Sequence, residues 1–554
     1  GALSAYRLSQ AGKRVLVIDA GPAVPPNRGG YMETFYLAMA KTPESPYPEN
    51  LSAPNPLTLD VNGGNGYFIQ NGALPFASTY ERVAGGTTWH WMGTSLRLLP
   101  NDFALRTNYG VGVDWPIGYD DLEPWYCEAE QEIGVAGNVA DQSYLGLHFS
   151  KPYPMPGIVQ SYMDQRIAAR IGQMQIYGNP VTVSPTPQAR NSIPFDQRRV
   201  CAGNTNCIPI CPIQAKYDAT IHIQKAEQLG AEVWYQTVAT SVSVDPETGR
   251  ITGINYKQYA QQNGPPTASG TLTASIYVLA AHAVETAKVL LNSRSATMPR
   301  GVANRSDQVG RNLMDHPIQL SWAKMPEPVY PLRGPLSTSG IESLRDGAFR
   351  SQHPAFRMEI GNEGWNWAEN DPWNSLNNLV TAGTFGPALK AGVSDAITPQ
   401  TRLGSLVEQL PMSTNTVTLS NQTDNLGVPR PTITYDLDDY TRSGFKAAAQ
   451  ASTAIFKQMG AVEATAPPSP MQPTAFEYEG ELYQVRGAGH LMGTYRMGTD
   501  PTQSVVDANQ RSHDHQNLYL LGSGVFPSVG TANPTLTIAA LTLMAAKQMV
   551  ADLG

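Results

Sequence analysis

The opening stretch, GALSAYRLSQAGKRVLVIDAGP, constrains the fold more than any other part of the chain. The segment from Gly1 to Gln10 has the apolar pattern of a helix, and Gly12 can end that helix. The run from Val15 to Ile18 predicts a buried strand that ends at Asp19. A helix, then a parallel strand ending in a carboxylate, is the second half of a dinucleotide-binding βαβ unit. In such units the acid binds the ribose hydroxyls, and the helix N-terminus faces the pyrophosphate.

This unit lacks its preceding strand and the first two glycines of the G-x-G-x-x-G motif. We therefore expect Gly1 to be the third glycine of the motif, and the numbered chain to be truncated. On this segment alone, an ordinary αβ unit with an acid at the strand end is an equal alternative.

Two further strand–helix units are predicted far along the chain. Residues 276–281 (IYVLAA) read as a buried strand, and a helix pattern follows from Val284 to Leu291. Residues 518–521 (LYLL) read as another strand, ahead of the apolar run Pro534 to Met549. That run contains Lys547 and is short for a membrane span, so it predicts a buried helix. A cofactor domain would then be assembled from widely separated segments.

A pair of glycines lies in the stretch RVAGGTTWHW, residues 82–91. Gly85 and Gly86 would let backbone amides approach a cofactor closely. Thr87 and Thr88 follow directly, and their hydroxyls can bind a phosphate or the edge of a ring. Taken alone, a Gly-Gly-Thr sequence is more often a turn.

Length and charge limit the possible functions. A chain of 554 residues exceeds the size of a single growing core, so two or more domains are expected. The net charge of -8 and the pI near 5.7 provide no basic surface, which argues against a nucleic-acid partner. The chain has no C-x-x-C-H motif and hence no attached c-type haem of its own.

Three of the four cysteines lie in one loop, CAGNTNCIPICP, at Cys201, Cys207 and Cys211. A zinc site is disfavoured, because it commonly uses four ligands and the loop contains no histidine. Three thiolates suit a cuboidal [3Fe-4S] cluster. A disulfide is the alternative, and it leaves one cysteine unexplained. Cys127, in a helix-like segment, is expected to be an ordinary buried thiol.

These motifs together resemble the glucose-methanol-choline (GMC) family of FAD oxidoreductases. Within it the chain looks most like a bacterial subgroup of membrane-associated sugar and sugar-acid dehydrogenases, and above all like gluconate 2-dehydrogenase flavoprotein subunits. The resemblance rests on the opening unit and on these stretches: YERVAGGTTWHW (80–91), LLPNDF (98–103), YGVGVDWPIGYDDLEPWY (109–126), PQARNS (187–192), CAGNTNCIPICP (201–212), VGRNLMDHP (309–317), GHLMGT (489–494), SVVD (504–507) and GTANPTLTIAAL (530–541).

The resemblance implies an α/β fold with a Rossmann-like FAD-binding domain and a substrate domain built on an antiparallel sheet with helices. The FAD domain would comprise residues 1–110, 200–317 and 485–554, with the cysteine loop 201–212 inside it. The substrate domain would comprise 111–199 and 318–484, with strands at 414–419 and 431–435. The Trp-rich segment 361–378 would be a lid or a docking surface. The implied cofactor contacts are Gly1, Asp19, Gly21, Gly85, Gly86, Thr87, Thr88, His90, Val238, Asn533 and Thr535.

The resemblance also implies the site of chemistry. His490 lies in the family's H-x-x-G-T setting, and Asn533 matches the asparagine variant of its usual partner. Neutral His490 would accept the substrate hydroxyl proton, Asn533 would hold the same oxygen, and hydride would pass to the flavin. Asn533 precedes Pro534 and could equally be a helix N-cap. His90 resembles the histidine that binds flavin covalently in pyranose oxidases, so a covalent bond is expected here; packing against the flavin ring without a bond is the alternative.

Neighbouring residues have softer roles. Asn312 and Asp315 are expected to hold the lobes together, and His316 could lie near the substrate. A carboxylate substrate would need a cation, for which Arg82, Arg357 and Arg496 are candidates; no spacing argument selects among them.

The resemblance places the [3Fe-4S] cluster on Cys201, Cys207 and Cys211, although Ala202 stands where related sequences often have a second cysteine. The best-fitting reaction is D-gluconate to 2-keto-D-gluconate, with glucose, fructose, sorbitol and 2-ketogluconate as alternatives. Electrons would leave through a multihaem cytochrome c subunit to quinone at the periplasmic face of the inner membrane, and a small accessory subunit would complete the complex. An oxidase or lyase of the same fold, or a binding protein with decayed cofactor motifs, is the competing interpretation.

Overall fold

The computed structural model describes residues 1–23, 30, 67–78, 80–205, 207, 210–261, 264–331, 333–362 and 372–554. Half of the Trp-rich segment 361–378, residues 363–371, lies outside these residues, so its role as a lid or a docking surface stays a prediction. Within them the α-helices are Ala2–Gln10, Leu105–Tyr109, Tyr119–Ile133, Tyr162–Ile171, Thr220–Gln228, Ala283–Asn292, Pro372–Thr381, Gly386–Ile397, Asp439–Met459 and Thr535–Asp552.

The opening unit has the predicted order of elements, but its strand is not buried as predicted: Leu16 is exposed, and Val17 and Ile18 are half-buried. The helix Ala2–Gln10 is followed by the strand Leu16–Ile18, which pairs in parallel with Glu232–Trp234. Beyond Trp234 the chain turns at Gln236, where φ is 51°. A separate three-stranded antiparallel sheet begins directly after that turn; its strands are Thr237–Val244, Ile251–Tyr259 and Pro266–Leu272.

The two distant strand–helix units come together in space. Strand Tyr277–Leu279 pairs in parallel with Leu518–Leu520, so segments about 240 residues apart share one sheet. Helix Ala283–Asn292 follows the first strand, and helix Thr535–Asp552 follows the second. The last helix has Leu536 and Ala540 fully buried, which confirms the predicted buried helix. Among the described residues, no helix has the length and apolar character that crossing a bilayer requires.

An antiparallel sheet of seven strands forms the second large element. Its strands are Val183–Pro185, Pro317–Lys324, Ser339–Ile341, Phe356–Gly361, Gln400–Val407, Val462–Glu463 and Arg486–Gly487. The two strands predicted at 414–419 and 431–435 exist, but they belong to another sheet. Thr416–Thr423 pairs antiparallel with Pro429–Thr434, and Ile69–Gln70 joins the latter in parallel. Two short hairpins complete the strands: Gln175–Ile176 with Asn179–Pro180, and Ala475–Tyr478 with Glu481–Gln484.

Two large apolar cores correspond to these two regions. The first joins the helix Thr535–Asp552 to the helix Tyr119–Ile133, and Tyr126 is hydrogen-bonded to Thr537 at 2.8 Å. The second lies between the seven-stranded sheet and the helix Asp439–Met459. The predicted boundary assigned helix Tyr119–Ile133 to the substrate domain, yet it shares the first core. The domain boundaries stay a prediction.

Replacing Leu520 with alanine tests the parallel strand pair. Leu520 is 0% exposed in the first core, so we expect its loss to lower the free energy of unfolding by about 2–5 kcal/mol. Leu229→Ala is the control, because Leu229 is 49% exposed and surface truncations typically cost less than about 0.5 kcal/mol. Denaturant midpoints compare the two variants, and equal midpoints would contradict the assignment of Leu520 to a tightly packed core.

Candidate active site

A cavity of about 1610 Å³ opens between the parallel strand pairs and the seven-stranded sheet. Nearly all the predicted cofactor and catalytic residues line it, although they come from distant parts of the chain. They are Gly1, Asp19, Gly85, Gly86, Thr87, Thr88, His90, Val238, His490, Asn533 and Thr535. Gly21 is outside this lining. A Cβ atom at Gly21 would lie 2.4 Å from the Cα atom of Val83, so its backbone packs closely against the chain beside the glycine pair.

One end of the cavity has the features of a dinucleotide site. Gly1 is at the N-terminus of helix Ala2–Gln10, and Asp19 follows the strand Leu16–Ile18. The Asp19 side chain accepts a hydrogen bond from the Gly21 amide at 2.8 Å. Burial raises the pKa of Asp19 above its usual value, and the Gly21 amide and Arg82 oppose that shift. Helix terminus and acid therefore lie together as the sequence predicted.

The glycine pair forms a tight turn at the cavity wall. Gly85 has φ 89° and Gly86 has φ 55°, the left-handed region that glycine tolerates best. A Cβ atom at Gly85 would lie 2.8 Å from the indole nitrogen of Trp89. The hydroxyl of Thr88 accepts a hydrogen bond from the Ala219 amide at 3.0 Å. Thr88 thus connects the turn to the start of helix Thr220–Gln228, and it also lines the cavity.

His90 is buried at the same wall. Its Nε2 atom is 3.8 Å from a carboxylate oxygen of Glu81, and burial raises the pKa of Glu81 to about 8. Next to it, the Lys216 ammonium donates to the backbone carbonyls of Trp89 at 2.7 Å and Cys207 at 2.9 Å. One buried cation therefore connects the glycine turn to the cysteine loop.

The cysteine loop contains three cysteines that are not joined in a disulfide. Cys207 and Cys211 are buried, and Cys201 is half-buried. Burial raises the pKa of Cys207, an effect that the neighbouring Arg190 opposes; its guanidinium donates to the Cys207 sulfur at 3.5 Å. Within the described ranges, no three His, Cys, Asp or Glu side chains are placed to hold a metal ion. The predicted cluster ligands are therefore not assembled here.

Cys127 is a free, buried thiol, as expected. It lies against Arg97 and Glu123, which places it in a buried polar network.

His490 and Asn533 lie next to each other in the cavity lining. The amide nitrogen of Asn533 is 3.5 Å from Nε2 of His490. Asn533 is not the helix N-cap that the sequence also allowed, because the helix begins at Thr535 with Pro534 at the cap. Its side chain is instead held by Arg357, whose Nη1 atom donates to Asn533 Oδ1 at 2.9 Å. That bond turns the NH2 group of the amide toward His490.

Arg82 lines the cavity next to the glycine pair. Of the three candidate arginines, Arg357 is the one that contacts Asn533. It is almost fully buried, and it forms ion pairs with Glu342 at 3.0 Å and Glu359 at 3.3 Å. Arg82 instead forms an ion pair with Glu285, and Arg496 donates to the Gln503 carbonyl. Further cavity residues that no sequence pattern pointed to are Glu359, Arg402 and Arg486.

The stretch GRNLMDHP lies directly behind the histidine. Asp315 is buried, and its carboxylate accepts hydrogen bonds from the backbone amides of His316 at 2.7 Å, His490 at 2.9 Å and Ala488 at 3.1 Å. His316, to which the sequence assigned no firm role, has Nδ1 3.0 Å from Nδ1 of His490. The sequence signal that could have identified His316 was its position directly after Asp315.

Burial lowers the pKa of His490 well below 6.5, and His316 and Arg357 lower it further. The imidazole is consequently neutral at neutral pH. A neutral imidazole with a lone pair facing the cavity can accept a proton from a hydroxyl group.

The sequence is similar to known proteins along its whole length. Sequence models of the GMC oxidoreductase family match residues 188–318 and 411–542. The chain is 35% identical to the fructose dehydrogenase large subunit of Gluconobacter japonicus, over 100% of this chain and 96% of that protein. It is 22% identical to the gluconate 2-dehydrogenase flavoprotein of Pantoea cypripedii, over 99% and 91% of the two chains.

Among solved structures, pyridoxine 4-oxidase from Mesorbium loti has a TM-score of 0.61 at 18% identity and covers 99% of this chain and 96% of its own. That similarity shows the shared α/β fold. The chain belongs to the GMC oxidoreductase family.

Proposed function

We propose that this protein is an FAD-dependent dehydrogenase that oxidises a secondary alcohol of a sugar or sugar acid. The observation that carries the proposal is the facing pair of His490 Nε2 and the Asn533 amide, in the same cavity as the dinucleotide-type residues. Family membership implies FAD, and the likeness to the fructose dehydrogenase large subunit supports a sugar substrate. Fructose is therefore the first substrate to test, with D-gluconate, the sequence-based expectation, second.

The cavity residues fit FAD. We propose that Gly1 and Asp19 hold the dinucleotide part, together with Gly21, Val238 and Thr535. The glycine turn and its two threonines would hold the flavin part of the cofactor. The turn is closely packed, because a Cβ atom at Gly85 would meet the Trp89 indole. His90 is placed in this wall as the candidate for a covalent bond. When bound, FAD supplies a hydride acceptor.

The protein's own groups would handle the proton. His490 would accept the substrate hydroxyl proton at Nε2, because that nitrogen faces the cavity and its pKa is low enough to keep it unprotonated. The Asn533 amide would donate a hydrogen bond to the same oxygen, stabilising it as negative charge develops. Glu359, paired with Arg357 and lining the cavity, would accept hydrogen bonds from other sugar hydroxyls.

We also propose that Cys201, Cys207 and Cys211 bind a [3Fe-4S] cluster. Three cysteines in one loop, none of them in a disulfide, would supply the ligands, and Arg190 and Lys216 beside Cys207 would supply compensating positive charge. Such a cluster would provide a one-electron carrier for an external acceptor. The proposed partners are a small accessory subunit, a membrane-anchored multihaem cytochrome c subunit and quinone, at the periplasmic face of the inner membrane. The designation of the fructose dehydrogenase relative as a large subunit supports the existence of partner subunits.

The glycine turn provides a test of FAD binding. Gly85→Ala should reduce the flavin content of the purified protein severalfold, because the added methyl group meets the Trp89 indole and φ 89° strains alanine. Gly110→Ala is the matched control: its φ is 75°, and nothing lies within 4 Å of the added carbon. Flavin absorbance per protein compares them. Full flavin content in Gly85→Ala would argue against this turn as a cofactor wall.

Replacing His490 tests the chemistry. His490→Ala should keep its flavin but be reduced by the sugar on the order of 10²–10⁴-fold more slowly, since the proton acceptor is gone. In the unmodified protein, the lowered pKa predicts that activity persists below pH 6.5 and is lost only as the pH falls through the pKa of His490. His148→Ala, at an exposed histidine, is the control. Anaerobic stopped-flow measurement of flavin bleaching decides; normal bleaching in His490→Ala refutes the assignment.

The cysteine loop is tested by chemical analysis. Cys207→Ser and Cys211→Ser should lose bound iron and sulfide and the paramagnetic signal of the cluster, while keeping flavin. Cys127→Ser should retain all three, because that thiol lies in a different network. Unmodified protein that contains flavin but no iron would remove the cluster from the proposal. It would then favour an oxidase, which the rate of oxygen consumption during sugar turnover measures.

A further inference from the structure

Two hydrogen bonds define the protonation of the His316 ring. Its Nε2 atom is 3.1 Å from the carbonyl oxygen of Gly530, and its Nδ1 atom is 3.0 Å from Nδ1 of His490. The two rings are perpendicular, with centroids 5.1 Å apart. His316 is 1% exposed, so water does not compete for these contacts.

The Gly530 carbonyl determines which atom donates in each of the two hydrogen bonds of His316. A carbonyl oxygen can only accept, so Nε2 of His316 carries a hydrogen. In a neutral imidazole the other nitrogen is then an acceptor, which makes Nδ1 of His316 accept from Nδ1 of His490. His490 therefore carries its hydrogen on Nδ1. Its Nε2 atom, which faces the cavity, is left with a lone pair.

The neutral state of both rings follows from their surroundings. Burial lowers the pKa of His316 to about 4, and the nearby Arg357 and Arg345 lower it further, against the Gly530 carbonyl. The pKa of His490 is lowered by the same kind of burial. The directional chain is thus the expected state at neutral pH.

The opposite side of His490 is consistent with the same assignment. Arg357 donates to Asn533 Oδ1, so the Asn533 NH2 group faces Nε2 of His490. If Nε2 carried the hydrogen, two donors would face each other at 3.5 Å, an unfavourable arrangement in a buried site. Arg357 and His316 thus specify the same tautomer from opposite sides.

We propose that His316 is a positioning residue that sets the tautomer of His490, leaving Nε2 as the unprotonated atom that faces the substrate. This rests on the proposed function, because it gives His490 its role as proton acceptor. His316 itself touches neither the substrate nor the reacting atoms; it acts through His490.

Two variants at this position separate tautomer control from packing. His316→Leu removes the acceptor for His490 Nδ1–H, and the rate of flavin reduction should fall about 10- to 100-fold, as typically follows loss of a histidine's orienting partner. The dissociation constant of the sugar should change little. His316→Asn keeps an oxygen acceptor near the position of Nδ1 and should restore the rate to within about threefold of the unmodified protein. Stopped-flow bleaching at varied sugar concentration gives both quantities.

A spectroscopic measurement reports the tautomer directly. Nitrogen NMR of histidine-labelled holoenzyme should show His490 protonated at Nδ1, the signal being identified by its loss in His490→Ala. In His316→Leu we expect a mixture of tautomers, and in His316→Asn the Nδ1–H form. Combining His316→Leu with His490→Ala should slow reduction no more than His490→Ala alone.

The outcomes distinguish the two proposals. Full activity of His490→Ala overturns the proposed function, whatever the NMR spectrum of His490 shows. A slow His490→Ala together with a fast His316→Leu and an unchanged His490 tautomer overturns the role of His316 alone. Equal losses in His316→Leu and His316→Asn, with the Nδ1–H form kept in both, also overturn it, because they indicate packing.

Discussion

The carboxylate of Asp315 holds the candidate active site together. It is buried, and it accepts hydrogen bonds from backbone amides of two segments that are about 170 residues apart, at residues 315–316 and 488–490. The Ser78 hydroxyl from a third segment donates to the same carboxylate. Removing one donor from a buried carboxylate destabilises the folded protein, because the negative charge is then poorly compensated. His316 and His490 are adjacent because this one group binds both of their backbones.

Around that anchor, hydrogen bonds orient the side chains of His316, His490 and Asn533. The Gly530 carbonyl orients His316, His316 orients His490, and Arg357 orients Asn533. Arg357 is itself held by Glu342 and Glu359. Buried ion pairs of this kind add little net stability, since desolvation offsets their attraction. Their contribution here is geometric: a site in which groups are already oriented needs no reorganisation when charge develops on a substrate oxygen.

The same reasoning connects the cavity to the cysteine loop. Lys216 is buried and donates to carbonyls on both sides, so the glycine turn and the loop cannot shift independently without leaving an ammonium group unsatisfied. The cysteines of this loop form no disulfide, and burial favours the protonated form of Cys207. Under the proposed cluster assignment, these thiols would have to lose their protons to bind metal. Family membership and a sugar-dehydrogenase relative make an oxidoreductase of alcohols the consistent interpretation of the whole site.

Local sequence determined much of this protein. The helix–strand–acid order of the opening and the buried C-terminal helix each depend on residues that are near neighbours, and both formed as predicted. The glycine pair forms a turn, which its local sequence also allowed. The motif set also identified the family, which the comparisons show. Glycine at positive φ and apolar periodicity are local properties, so they can be interpreted without the fold.

Only the tertiary structure decided the rest. The turn at Gln236, the choice of Arg357 among three arginines, and the contact between His316 and His490 all depend on segments that are distant in sequence. Asn533 had the local pattern of a helix cap, but its side chain accepts a hydrogen bond from the guanidinium of Arg357, which lies on a strand of the seven-stranded sheet. The direction of a hydrogen bond depends on both the donor and the acceptor. When the partner belongs to a distant segment, the spacing of residues within one segment cannot identify it.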